Sequence, residues 1–474
     1  MIEEMLCSKD SVLLEALRII NENAKRTVFV VDGDRHLSGI LTDGDIRRLL
    51  LAGHRLDEPA GMVCNTTFIY ARQGEKYQDM LAKVSKSVSI IPIVDGDMRV
   101  VDYFQCLEEL HMPVANPDLT GNEFKYLIDA FLSTWISSKG TYIGMFEEKF
   151  AEFCDSRYGV AVSNGTVALH LALLALGIGR GDEVIVPDLT FAATINTVLH
   201  AGATPVIVDV DRESWCIDPA AVKKAITKRT RAIVPVHLYG QPCDMDGIMG
   251  IARKHRLKVV EDCAEAHGAT FAGKKVGSFG DIGCFSFFAN KIITTGEGGM
   301  CVSRSARLVD RMRLLRDHGM SRQRKYWHTT VGYNYRMTNL QAAIGFAQLE
   351  RVDEVLKARD QVEVEYRQRL RGLGGIEFQR GDLSQRRKVV WLVSLLVDGR
   401  KRDLYIEQLK LKHVEARPFF YSLSRMGIYK KFATSCPNSR NISARGLSLP
   451  TTFLRSEGDV FTKVRNVLSG GALS

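Results

Sequence analysis

YGVAVSNGTVALHLALLAL (158–176) decides between two kinds of fold. No residue between Arg157 and Arg180 carries a formal charge, so a hydropathy scan alone would allow a membrane span. Ser163-Asn164-Gly165-Thr166 breaks the run at its centre. The stretch then reads as a short apolar strand, a turn and a buried helix from Thr166, the opening unit of an α/β fold. A spanning helix is excluded.

Working outward, the same alternation continues. DEVIVP (182–187) precedes a helix through 193–200, and ATPVIVDV (203–210), RAIVPVHL (231–238) and LKVVED (257–262) extend the series. Apolar strand cores separated by helices predict a mostly parallel sheet with helices on both faces. From about Val352 a long charged helix and then mixed elements predict a smaller C-terminal lobe. In such sheets ligands sit at the carboxyl ends of the strands, so the residues that follow each strand matter most.

Three strand-end segments carry chemistry. GCFSFFANKIITTGEGGM (283–300) places Lys291 between an aromatic strand and a glycine-rich turn. VVEDCAEAHGA (259–269) ends a buried strand on Asp262, a costly place for an acid unless it meets a cation or donors. SNGTVALHLALLAL (163–176) opens a helix whose free N–H groups can cradle a phosphate. Each has an ordinary reading alone: a solvated lysine, a paired acid, a plain N-cap. Together they supply what pyridoxal phosphate needs. A lysine forms an imine with its aldehyde, a carboxylate keeps the pyridine nitrogen protonated, and a helix N-terminus binds the phosphate.

Order and spacing then match a known family. NEFKYLIDAFLSTWISSKGTYIGMFEEKF (122–150), SNGTVALHLAL (163–173), EDCAEAHGA (261–269), SFFANKIITTGEGG (286–299), RDHGM (316–320) and GYNYRMTNLQAA (332–343) follow in sequence. From Pro113 to Pro450 the chain resembles the DegT/DnrJ/EryC1/StrS sugar aminotransferases. The resemblance implies a fold type I aminotransferase, with a large cofactor domain over 112–355 and a small domain over 356–474. It implies pyridoxal phosphate held by Lys291, with Asp262 on the pyridinium nitrogen and Phe191 of DLTFAAT (188–194) against the ring. Gly165, Thr166 and Ser286 would bind the phosphate, joined by Asn334 from the partner of a homodimer. Glu265 would line the cofactor or sugar, while His318, Arg336, Arg417 and Tyr421 would face the substrate, although each could equally be a salt-bridged or packed residue. The implied reaction moves the amino group of L-glutamate to C4 of a nucleotide-linked 4-keto-6-deoxy sugar for surface polysaccharide. The similarity of WISSKG (135–140), RDHGM (316–320) and RPFFY (417–421) to perosamine-forming members of that family implies GDP-4-keto-6-deoxymannose, giving GDP-perosamine, in preference to UDP-linked 4-keto sugars. A related branch of 3-dehydratases has histidine for the lysine, and Lys291 argues against it.

Residues 1–111 have a different texture. A helix (13–20), TVFVVDGD (27–34) and LSGILTDGDIRRLL (37–50) are echoed about 60 residues later by YQDMLAKV (77–84), VSIIPIVDGD (88–97) and MRVVDYF (98–104). Two such copies predict a tandem α+β repeat whose halves bury their sheets together, joined by a hinge at His111-Met112-Pro113 to the second unit. GILTDGDIRR (39–48) resembles the signature of a CBS domain, which implies an adenine-nucleotide site using Thr42 and Asp45. In the second copy Val100-Val101-Asp102 replaces that signature, so at most one site is expected, and a purely structural pair is the other reading. A CBS pair with a degenerate enzyme body would make a nucleotide-sensing regulator, and such a body should have lost cofactor residues.

Composition narrows the rest. The chain has 474 residues, 45% hydrophobic and 25% charged, which is ordinary for a globular protein of two or three domains. Sixty-four Lys and Arg against 55 Asp and Glu give a net charge of +9, spread without basic runs. That suits phosphorylated ligands and gives no nucleic-acid footprint. Ten cysteines form no C-x-x-C pair, and Cys263 with His267 lacks a second pair, so no metal site is expected. MIEEMLCSKD is no signal peptide, so reduced thiols and a cytoplasmic address are expected, without membrane association. GATFAGKK (268–275) has Lys275 where a P-loop needs Ser or Thr, GEGG (296–299) lacks a dinucleotide context, and RPFFY is no base-stacking platform.

Overall fold

The structure is a computed structural model and describes residues 2–23, 25–84, 88, 90–105, 112–451 and 458–470. His111 of the expected hinge lies outside the described residues. The chain divides into two units, Met1–His111 and Met112–Ser474.

The first unit is built from two three-stranded sheets of one pattern. In the first copy, β1 (Leu6–Ser8) runs parallel to β2 (Thr27–Val31), which is antiparallel to β3 (Leu37–Thr42). In the second, β4 (Ala71–Arg72) is parallel to β5 (Ile90–Val94), which is antiparallel to β6 (Val100–Gln105). Each Asp-Gly-Asp turn is held by its first aspartate. Asp32 accepts from the N–H groups of Asp34 and His36 at 3.0 and 2.9 Å, and Asp95 does the same for Asp97 and Arg99. The left-handed residue is the one after the turn word, Arg35 (φ 65°) and Met98 (φ 66°), and not the glycine. Leu37 N–H donates to Met98 C=O and Val100 N–H to Arg35 C=O, each at 3.0 Å, so the copies zip together at these turns. Phe29, Val31, Leu37, Val94 and Val100 share one core across them.

The second unit centres on seven strands: β7 (Tyr158–Val162), β8 (Glu183–Pro187), β9 (Thr204–Val208), β10 (Thr230–Ile233), β11 (Lys258–Asp262), β12 (Ile282–Ser286) and β13 (Gly299–Ser303). Their order is β7-β13-β12-β11-β10-β8-β9, and only β13 runs antiparallel to its neighbours. The strand expected to reach Leu238 stops pairing regularly at Ile233, because Pro235 has no N–H to give the ladder. Helices Gly165–Ala175 and Ala193–His200 pack on one face with Val160, Val184 and Ile207. The other face carries Thr141–Phe153 and Asn339–Glu350. Helix Gly165–Ala175 is apolar and buried from Ala168 to Leu173, which is why its sequence lacks charge. Asn164 caps it by accepting from Val167 N–H at 3.0 Å, a bond of about 1 kcal/mol.

Helix Val352–Arg369 leaves this core: Val352 and Val355 pack in it, whereas Val362 and Tyr366 belong to a second core with Val393, Leu395, Leu447 and Val464. A four-stranded antiparallel sheet (Glu377–Phe378, Val393–Leu396, Gly446–Leu449, Arg417–Pro418 in spatial order) backs that second core. The segment between its last two strands returns to the large sheet through Leu423, Tyr429 and Cys436. Asp188, just past β8, fastens it by accepting from the N–H of Ser424 at 2.6 Å and the hydroxyls of Ser424 and Ser439. No helix among the described residues is long and apolar enough to cross a membrane.

Candidate active site

The carboxyl ends of β7, β8, β11 and β12 meet at one place. Asp262, the last residue of β11, is buried, and its two oxygens have one donor each: Thr194 Oγ1 at 2.8 Å and Ala264 N–H at 3.2 Å. Burial pushes its carboxyl up, opposed by those donors and by the nearby Lys291 charge. Thr194 opens the helix after β8 and is held by Thr190 at 2.9 Å, so the β8 turn and the β11 end are tied through this one hydroxyl.

Lys291 follows β12 in a loop closed by Phe287 N–H to Gly298 C=O (2.8 Å) and Lys291 N–H to Phe288 C=O (2.9 Å). Its Nζ lies 3.8 Å from Glu265 Oε1 and 3.8 Å from the centroid of the Trp391 ring. Burial draws Lys291 toward the neutral amine, opposed by Glu265 and Asp262, and draws Glu265 toward the protonated acid, opposed by Lys291. The second oxygen of Glu265 accepts from Tyr239 N–H at 2.8 Å. Tyr239 makes that bond from a left-handed backbone (φ 52°), unusual for an aromatic residue and a sign of local strain.

Gly165 and Ser286 are brought against each other: a Cβ at Gly165 would lie 2.7 Å from Ser286 Cβ, so only glycine lets the helix start meet the end of β12. Thr166 is the second residue of that helix. Phe191 is 59% exposed beside Phe420, at 5.6 Å between ring centroids.

The remaining expected residues are not drawn into this cluster. Arg336 donates to Asp317 at 2.7 Å and to Asn334 Oδ1 at 3.0 Å, and Asn334 is exposed. Both flank Tyr335, whose C=O accepts from Ser163 N–H beside the end of β7. His318 is exposed on a left-handed backbone (φ 57°), Arg417 is turned to Glu415 at 2.6 Å, and Tyr421 has the Arg402 guanidinium 5.8 Å from its ring.

Sequence reasoning missed Thr194, Tyr239 and Trp391. Thr194 had a signal, a polar residue three after Phe191 at the start of an apolar helix. Trp391 in KVVWLVS has the pattern of core, and nothing local to it points at Lys291. His237, Glu261 and Cys263 have the donor types of a metal site, yet the polar groups of His237 and Glu261 already serve the protein. His237 Nδ1 accepts from Cys243 N–H, its Nε2 faces Glu261 at 3.2 Å, and Glu261 takes the N–H groups of Gly277, Phe279 and Gly280.

The DegT/DnrJ/EryC1/StrS aminotransferase family profile matches residues 117–467, and the CBS domain profile matches residues 1–52. GDP-perosamine synthase of Caulobacter vibrioides is 50% identical over 351 residues, spanning 73% of this chain and 95% of that protein. GDP-perosamine synthase of Escherichia coli O157:H7 is 46% identical over 342 residues, 72% of this chain and 93% of that one. Among solved structures, S. venezuelae DesV is 34% identical with a TM-score of 0.69, covering 74% of this chain and 95% of its own. A putative sugar aminotransferase from Streptococcus pneumoniae, in its PLP form, has a TM-score of 0.72 at 27% identity, covering 77% of this chain and all of its own. The chain belongs to the DegT/DnrJ/EryC1/StrS aminotransferase family and carries a CBS domain.

It is a pyridoxal-phosphate-dependent aminotransferase, and its residues fit that cofactor. The exposed Phe191 offers an aromatic surface to a flat ring, the close Gly165–Ser286 approach forms a small cradle at a helix N-terminus, and Asp262 is a buried acid whose two oxygens have one donor each. When bound, the cofactor supplies an aldehyde that takes up amines and a ring that draws off electrons.

Proposed function

We propose that the enzyme transfers the amino group of L-glutamate to C4 of a nucleotide-linked 4-keto-6-deoxy sugar, with GDP-4-keto-6-deoxymannose as substrate and GDP-perosamine as product, for surface polysaccharide. The observation that carries the chemistry is the clustering of Lys291 with the buried carboxyls of Glu265 and Asp262 at the carboxyl ends of β11 and β12. The 50% identity to a GDP-perosamine synthase along nearly all of that protein supports the substrate. Lys291 Nζ holds the cofactor and, once released, takes and returns the proton at the reacting carbon. Asp262 keeps the ring nitrogen protonated, Phe191 orients the ring, Glu265 lines it, and Gly165, Thr166 and Ser286 hold the phosphate. His318, Arg336, Arg417 and Tyr421 receive the sugar nucleotide.

The working enzyme is a cytoplasmic homodimer in which Asn334 completes the partner's phosphate site. Helix Glu123–Leu132 and the turn after it expose Phe124, Ile128, Phe131, Leu132, Trp135 and Ile136, more apolar surface than an isolated helix keeps in water, which supports this assembly. The boundaries 1–111, 112–355 and 356–474 mark the CBS pair, the cofactor domain and the small domain. One adenine nucleotide binds the CBS pair at Thr42 and Asp45. Incubation with GDP- and UDP-linked 4-keto sugars plus glutamate, followed by mass spectrometry of the products, tests the reaction. The expected result is an amino sugar from the GDP substrate, and higher kcat/KM with a UDP-linked sugar overturns the choice of nucleotide.

A further inference from the structure

We propose that Trp391 is the positioning residue for Lys291, holding the lysine's free amine beside Glu265 whenever it is not bonded to the cofactor. The proposal rests on Lys291 being the cofactor lysine. A transaminase lysine is released in each half of its cycle and needs a defined place from which to return. Here the amine is 3.8 Å from the Trp391 ring centroid and 3.8 Å from Glu265, so an aromatic face and a carboxylate share it.

Trp391 is itself fixed at three points. The indole N–H donates to the C=O of Asn290, the residue before Lys291, at 2.8 Å, so tryptophan and lysine are tied to one loop. The Trp391 C=O accepts from the buried Arg359 guanidinium at 2.7 Å. Tyr239, which anchors Glu265 through its N–H, stacks parallel to the indole with centroids 6.0 Å apart and 11° between planes. A tryptophan that merely filled the core would turn its face to apolar side chains, whereas this one faces the lysine's amine. Its backbone comes from just before strand Val393–Leu396 while its side chain packs in the core of the large sheet, so the approach to that strand supplies one wall of the lysine's resting place.

The test uses the full-length enzyme converted by glutamate to the amino form of its cofactor, in which the lysine is free. Acetylation of Lys291 is followed against pH by peptide mass spectrometry. Trp391→Leu keeps the surroundings apolar and removes the ring that favours the ammonium. The labelling midpoint should fall by about half a unit to one unit. Trp391→Phe offers a weaker face and should shift the midpoint the same way by less. A purely structural role lowers the melting temperature of both variants and leaves the midpoint unmoved, which overturns the proposal. Should the leucine variant fail to fold, an unshifted midpoint in the phenylalanine variant overturns it equally. Borohydride trapping separates the two claims: a label away from Lys291 sinks the reading beneath, while a label on Lys291 with no shift sinks the proposal alone.

Discussion

Two groups of expected site residues behave differently. Asp262 and Glu265 are buried, Lys291 is nearly so, and the two carboxyls are held by donors from the turns after β8, β10 and β11. Asn334, Arg336 and His318 stand along one edge with solvent access, and Arg336 spends its hydrogen bonds on Asp317 and Asn334. The first group is finished within one chain. The other stands beside the end of β7 with its charged and amide side chains open to solvent, as the proposed dimer requires. The difference separates residues that one chain packs into place from residues that it leaves available to a second surface.

Breaking the first group should have the largest effects. Lys291→Ala should lower transamination by about 10⁴-fold or more, since both attachment and proton transfer go with the amine. Stopped-flow absorbance after mixing with glutamate checks this, and borohydride should then leave no label on residues 283–300. Asp262→Asn should still capture the cofactor but turn over about 10²- to 10³-fold more slowly, as a preorganised charge is lost. Near-normal turnover in that variant would mean that Asp262 only serves Thr194 and Ala264.

Asn334→Ala sharpens the other group. Losing a hydrogen bond to a charged phosphate should weaken cofactor affinity about ten- to a hundredfold. Mixing and refolding Lys291→Ala with Asn334→Ala chains tells cis from trans. If Asn334 acts across a dimer, mixed dimers contain one intact site, and activity should recover to about a quarter of wild type. No recovery places Asn334 in its own chain's site.

Much of the first group was legible and little of the other. Asp262 and Lys291 stand at or just past the ends of apolar strands, and strand ends gather ligands in parallel sheets, so position along the chain singled them out together, whereas Glu265 and Ser286 came from the resemblance. Their supports were not legible: Trp391 reaches Lys291 from 100 residues further on, through a fold that periodicity does not describe. Tyr239 N–H meets Glu265 only because of a left-handed backbone that no local motif announces. Arg417 and Tyr421 were expected from resemblance alone, and in the isolated chain their neighbours are Glu415 and Arg402.

A smaller effect comes from His267, buried behind the cluster among Phe150, Phe285 and Phe287. Burial, reinforced by the Lys291 charge, pushes its imidazole down to about 3 from an ordinary 6.5. The folded protein therefore keeps it neutral, and the unfolded chain takes up a proton below about 6.5. The stability it confers is present above that pH and is lost as the pH falls toward 3. Between pH 7.5 and 5 the loss should be about 2 kcal/mol. His267→Phe should shrink the difference in melting temperature between those two pH values, and an unchanged difference would assign the acid sensitivity to other groups.

The smallest effect on turnover is expected from the first unit. Deleting residues 1–111 should leave cofactor capture intact and transamination within about twofold, because the Lys291 cluster and all its supports lie in Met112–Ser474. A large loss would mean that the first unit holds the aminotransferase together. Its own test is harder, because Thr42 and Asp45 already satisfy each other. Thr42 caps helix Asp43–Leu51 by accepting from Asp45 N–H at 3.1 Å, and the Asp45 carboxylate accepts from both the N–H and the hydroxyl of Thr42. Asp45→Ala would therefore cost the cap about 1 kcal/mol whether or not a nucleotide binds. Asp45→Asn keeps an acceptor for the Thr42 N–H and removes the charge, so it separates capping from binding. Calorimetry with AMP, ADP and ATP on the full chain should find one adenine-nucleotide site per chain, weakened at least about tenfold in Asp45→Asn at an unchanged melting temperature. Binding of none of the three would leave the capping box as the whole role of that pair. Binding that survives the asparagine undiminished would move the nucleotide away from Asp45.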